Sequence, residues 1–187
     1  YGDLEAGVDL ALKNVTFFDN QSTGYSGGGM YTTSGGNPVL TNVTFSNNRA
    51  NDPTYGWGGA IAISPTGSMT LRNTILWGNT ATTGSQINNM GTLTISDSVV
   101  EGGYPGGTNI ITDDPRLGTF GDHGGFTQTI PLQPGSSAVD AGNETNCPET
   151  DQRGVARPQG SGCDIGAYEF ESNVWVVTST ADSGAGT

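Results

Sequence analysis

Positive charge is scarce in this 187-residue chain: six Lys and Arg face eighteen Asp and Glu, for a net charge of −12. Nucleic-acid binding rests on Lys and Arg at phosphates, so that class is excluded. Attraction to an anionic membrane surface goes with it. The same balance permits divalent cations and favours solubility. Histidine occurs once, as His123, which is too little for a His-based zinc site. There is no run of 18 or more apolar residues, so no membrane-spanning helix is expected. No signal peptide is visible before the first repeat, and the expectation is a mature or excised segment of a longer polypeptide. Cysteine occurs twice, as Cys147 and Cys163. A close pair in a loop-rich, Lys-poor region points to a disulfide and an oxidising compartment, hence to an extracellular or cell-surface protein.

Helical periodicity is also missing. Apolar runs are two to five residues long, rich in Val, Ile, Thr and Phe, and bounded by Gly, Asn and Pro. That pattern reads as short strands and tight turns. One motif returns: Leu12-Lys-Asn14-Val-Thr-Phe-Phe-Asp-Asn20, Leu40-Thr-Asn42-Val-Thr-Phe-Ser-Asn-Asn48, Leu71-Arg-Asn73-Thr-Ile-Leu-Trp-Gly-Asn79, and a weaker copy at Ile95-Ser-Asp97. A second marker precedes two of them, Gly27-Gly-Gly-Met-Tyr31 and Trp57-Gly-Gly-Ala-Ile61. A motif recurring every 20–50 residues is the signature of a solenoid. The expected fold is all-β, a right-handed parallel β-helix over residues 1–110 with an irregular, disulfide-closed C-terminal cap. Leu40, Val43 or Thr44, and Phe45 should face the core with their equivalents in other coils. Asn14, Asn42 and Asn73 should form a ladder at one corner, where amides bond along the axis and Asn tolerates αL backbone. Asn14, Asn20, Asn42 and Asn143 begin glycosylation sequons, but two lie on the repeat itself and the ladder reading is preferred there.

From residue 111 the repeat stops. Asp113-Asp-Pro-Arg-Leu-Gly118, Gly124-Gly-Phe-Thr-Gln-Thr129, Pro134-Gly-Ser-Ser-Ala-Val-Asp-Ala-Gly142 and Asp151-Gln-Arg-Gly-Val-Ala-Arg157 follow in order, ending with Cys163-Asp-Ile-Gly-Ala-Tyr-Glu169. These motifs, over about 60 residues, resemble the choice-of-anchor Q region that closes β-helix proteins of bacterial surfaces. The resemblance implies surface display and no established catalytic activity, and it supplies no catalytic residues. Read from the residues alone, 111–170 is a cap over the exposed last coil. Asp151, Arg153, Arg157, Asp164 and Glu169 would tie it together by Arg–carboxylate contacts, and a Cys147–Cys163 bond would close its loop. Residues 171–187 form a connector. Within it, Val174, Trp175, Val176 and Val177 read as a strand that either folds back or is donated to a neighbour.

The chemistry of an enzyme is hard to place. A glycosidase needs two carboxylates at a set separation. In the repeat register, however, Asp97 aligns with Asn73 and Asn42, Glu101 with Trp77 and Ser46, and Asp19 with Asn47 and Gly78. Asp113, Asp114 and Asp122 are the remaining candidates for a Ca²⁺ site, without an EF-hand or nonapeptide pattern around them. Tyr55, Trp57 and Trp77 are candidates for a sugar-stacking platform. The expectation is a non-catalytic, cofactor-free structural module (stalk, adhesin segment or filament subunit) that associates with copies of itself or with tandem neighbours. The alternative is a polysaccharide-binding or polysaccharide-cleaving β-helix.

Overall fold

The computed structural model describes residues 10–34 and 36–171; Val174, Trp175, Val176 and Val177 lie outside them. The first coil contains β1 (Ala11–Phe18), β2 (Gln21–Ser22) and β3 (Met30–Thr32). The second contains β4 (Val39–Ser46), β5 (Arg49–Ala50) and β6 (Ile61–Ile63). The third contains β7 (Ser68–Arg72), β8 (Ile75–Trp77), β9 (Thr80–Ala81) and β10 (Ile87–Asn89). Two further strands follow, β11 (Thr92–Val100) and β12 (Thr108–Ile111). All of these strands pair in parallel, in three sheets. Sheet A stacks β1, β4, β7 with β8, β11 and β12; sheet B stacks β2, β5 and β9; sheet C stacks β3, β6 and β10. The fold is an all-β parallel solenoid, as the repeat predicts.

Each strand is too short to be stable alone, and burial of like upon like holds the stack. In sheet A, Leu12, Leu40, Leu71 and Ile95 lie in one register column, and Phe17, Phe45, Leu76 and Val100 in another. The rings of Phe17 and Phe45 stack 4.5 Å apart at 4°. Complete burial of a side chain such as Phe45 stabilises by about 1.5–3 kcal/mol. Of the two candidates in the middle of the motif, Val43 faces the core. Thr44 faces outward, beneath the C-terminal segment.

The corners explain the other repeated residues. Asn14, Asn42, Asn73, Asp97 and Asn109 have φ between 48° and 56°, the left-handed region that Asn and Asp tolerate best after Gly. This kink breaks the in–out alternation, so that Leu40, Val43 and Phe45 share one face. At the turn into sheet C, Gly27, Gly58 and Gly84 have φ of 74°, 68° and 66°. The next residue is constrained by space: a Cβ on Gly28 would run into the carbonyl of Gly59, and one on Gly59 into that of Ser85.

Candidate functional site

The C-terminal segment lies along the rod. The expectation of a cap over the last coil is corrected here: residues 114–170 lie along the outer face of sheet A, with Phe120 stacked on Phe18 of coil 1 and with Asn143, Gly166 and Thr150 against coils 3, 2 and 1. The cause is the column of outward αL asparagines. Asn73 Nδ2 donates to the Asn143 carbonyl (3.1 Å), and the Asn143 N–H donates to Asn73 Oδ1 (2.8 Å). Asn42 Nδ2 donates to the carbonyls of Asp164 (2.8 Å) and Gly166 (3.3 Å). Asn14 Nδ2 donates to the Thr150 carbonyl (2.7 Å), and Thr16 Oγ1 to Gln152 Oε1 (2.6 Å). A second apolar core fills the space between. Outward-facing Ile75 and Val99 pack with Leu132, Ala138 and Ile165.

The predicted ladder along the axis is therefore mostly absent at Asn14, Asn42 and Asn73. Of these three only Asn73 donates to its neighbour, Asn42 Oδ1, at 3.2 Å. The amide of Asn42 is engaged by the segment, and Asn14 Oδ1 is left buried without a partner among the described residues. The continuous ladder stands six residues further on, inside the coil. Asn20 Nδ2 donates to Asn48 Oδ1 and Asn48 Nδ2 to Asn79 Oδ1, both at 2.8 Å. Asn79 Nδ2 passes the chain to Gln86 Oε1 (2.7 Å), and Gln86 Nε2 to Glu101 Oε2 (2.5 Å). The signal for it was the second Asn of each motif.

Inside the segment the Cys147–Cys163 disulfide is formed. Arg157 and Glu169 form a fully buried pair at 2.6 Å. Arg157 also donates to the carbonyls of Asp164 (3.0 Å) and Gly166 (2.7 Å), while Glu169 accepts the N–H groups of Gln159 and Asp164. Arg153 pairs with Asp151 at 2.8 Å and with Glu171 at 3.0 Å, and stacks its guanidinium 3.6 Å over the Tyr168 ring. Asp164 departs from the expectation of an ion pair. Its carboxylate, 1% exposed, accepts the backbone N–H groups of Asp140 (2.7 Å) and Phe170 (2.5 Å) and pairs with neither arginine. The reason is geometric: Arg157 is already engaged by Glu169 and two carbonyls. Burial pushes the Asp164 carboxyl up to about 7, against those two N–H donors, and the neighbouring Glu169 adds to the rise. Burial also lowers the Arg157 guanidinium, with Glu169 opposing.

The remaining candidates fall apart in space. Asp114 and Asp122 each accept a local N–H, from Arg116 and Gly124, and no cluster of three or more His, Cys, Asp or Glu stands among the described residues. Tyr55 and Trp57 meet edge to face with centroids 6.0 Å apart. Trp77 instead packs into the core on sheet A's outer face, so the three form no platform. His123 bonds the Thr119 carbonyl at 2.8 Å. Among the sequon asparagines, Asn42 is wholly buried and Asn14 and Asn20 have their amides bonded.

The chain has no match among curated proteins and none among solved structures. A family model does match, the right-handed β-helix region, over residues 3–116. That stretch is more than half of the chain and contains every strand of the solenoid, so the protein belongs to the right-handed β-helix family.

Proposed function

We propose that the protein is a non-catalytic structural module acting outside the cell: a stalk, an adhesin segment or a filament subunit. Residues 111–170 serve as the choice-of-anchor Q-type region of a bacterial surface β-helix, and no cofactor is needed. The observation that carries this reading is the use made of the outward corner. In all three coils the asparagine on that face holds the protein's own C-terminal segment, so the flank of sheet A is committed to internal support. The disulfide supports an oxidising location. Partners are further copies of the chain or tandem neighbours, joined through Val174, Trp175, Val176 and Val177 or through a longer array.

Electron microscopy of the full chain beside a version ending at Glu171 tests the assembly. Filaments from the first that vanish from the second are expected. Single particles from both would remove strand donation and leave the array.

A further inference from the structure

Asn14, Asn20, Asn42 and Asn143 each begin the acceptor sequence Asn-X-Ser/Thr. A transferase that modifies this sequence must reach the amide nitrogen, Nδ2, and the hydroxyl two residues on. The fold treats the four sites differently.

Three of them present neither group. Asn42 is wholly buried, and its Nδ2 donates to the carbonyls of Asp164 and Gly166. Asn14 Nδ2 donates to the Thr150 carbonyl, and the hydroxyl of Thr16 donates to Gln152 Oε1, so both groups are held beneath the C-terminal segment. Asn20 is an exposed residue, but its Nδ2 ends the inner ladder on Asn48 Oδ1. The Ser22 hydroxyl donates to the Tyr25 carbonyl at 2.8 Å, and Ser22 is paired with Ala50 of β5. To use any of these sequons a transferase would have to break bonds that hold the rod or the segment.

Asn143 is held by its main chain alone. Its N–H donates to Asn73 Oδ1 at 2.8 Å and its carbonyl accepts Asn73 Nδ2 at 3.1 Å, which leaves the side chain outside the clamp. Its Oδ1 accepts the Thr145 N–H at 3.0 Å, an Asx turn that sets the threonine beside the amide. Its Nδ2 meets no acceptor among the described residues and is not among their buried, partnerless atoms, so it is open to solvent. Glu144 and Thr145 are both exposed. Because Asn73 grips only the backbone, a substituent on Nδ2 leaves the contact with coil 3 in place. A bulky, solubilising group belongs at such a surface turn.

We propose that Asn143 is the acceptor of an N-linked sugar in the folded protein and that the other three sequons are not. The co-substrate is a sugar activated at its anomeric carbon as a phosphate ester. In the transfer the bond from Asn143 Nδ2 to the anomeric carbon forms, and the bond from that carbon to the phosphate oxygen breaks. The nitrogen gives one proton to the transferase, and the phosphate leaves with the electron pair. The amide keeps its oxygen and one N–H, so the turn through Thr145 survives. The modification goes beyond the structural role and does not depend on the tail or on assembly.

The test uses the folded full chain with its disulfide intact, a soluble transferase that glucosylates Asn-X-Ser/Thr, and UDP-glucose. Short peptides spanning each sequon are run beside it as controls for the enzyme. Intact mass and peptide mapping should show a single hexose on the folded chain, carried by Asn143. Asn143→Gln should abolish the addition, and Asn20→Gln should leave it unchanged. Thr145→Ala removes the hydroxyl but keeps the backbone N–H that closes the turn, so it should abolish the addition without loss of fold. The proposal is overturned if the Asn143 peptide is glucosylated and the folded chain is not, if the folded chain carries sugar on Asn14, Asn20 or Asn42, or if Thr145→Ala is modified like the parent. Filament formation has no bearing on these masses, so this proposal and the assembly reading fail separately.

Discussion

The coils and the segment lying along them bury polar groups in different ways. In the coils the inner polar column repeats one bond from rung to rung, as Asn20, Asn48 and Asn79 do, beside register columns of apolar side chains. In residues 113–171 no bond recurs. A disulfide, the Arg157–Glu169 pair and an Arg153 cluster each occur once, within a smaller apolar core. A repeating stack distributes its stability over near-equal interfaces, whereas an irregular segment concentrates it in a few groups. The segment should therefore release from the rod before the rod itself opens.

The largest break in that comparison is Glu169→Ala, which leaves Arg157 charged and unpaired at a fully buried site. Removing one partner of such a pair costs about 3–5 kcal/mol. Hydrogen exchange should show amides of 113–171 losing protection while those of β4, β6 and β7 keep theirs. Uniform loss in both regions would mean that rod and segment fold as one unit. The pH dependence is next. Asp164 has its folded pKa raised to about 7, so its contribution is fully present below the unfolded value near 4 and is lost as pH rises through 7. The upper bound is about 4 kcal/mol, with the opposing effect of the two backbone N–H donors already contained in the raised value. Denaturant unfolding at pH 5 should need more denaturant than at pH 8. Asp164→Asn should flatten the difference; an unchanged difference would place the titrating group elsewhere. Reduction of Cys147–Cys163, which closes a loop with a sequence separation of 16, should cost about 3 kcal/mol. Thermal melts with and without reductant would read it as a lower, broader first transition.

How much of this was legible in the sequence follows the same division. Spacing alone placed the solenoid, because Leu, Val and Phe recur at fixed distance from an Asn and each recurrence is a register column. It also placed the αL corners at Asn14, Asn42 and Asn73. It did not say which way those amides point, since an αL residue on an outer corner serves a neighbouring rung or a covering segment equally well. The path of 113–171 was hidden for the same reason. A segment without period carries no register, and its contacts with Asn14, Asn42 and Asn73 span 70 to 136 residues. Asp164 was read as an ion-pair partner because charge is visible in sequence, while backbone N–H donors that solvate a carboxylate are not.

The smallest effects separate the two asparagine columns. Asn48→Ala removes an amide that accepts from Asn20 and donates to Asn79 Oδ1 and the Phe17 carbonyl. Leaving such groups buried without partners costs about 1–3 kcal/mol, and the loss should fall on coils 1, 2 and 3 together because the ladder runs through them. Asn42→Gly keeps the left-handed backbone, which has φ 53°, and deletes the bonds to Asp164 and Gly166 together with the long one that Asn42 Oδ1 accepts from Asn73. Its cost should be about 1 kcal/mol and should fall on the segment. The check is site-resolved exchange in both variants. Asn48→Ala should raise rates at Phe17, Phe45 and Leu76 with the segment following, and Asn42→Gly should raise them at Cys163, Ile165 and Ala167 with the coils unmoved. If Asn42→Gly loosens the coils as much as the segment, the outer column belongs to the rod's own stability. The αL asparagine would then have been selected for the corner, and docking would be secondary to it.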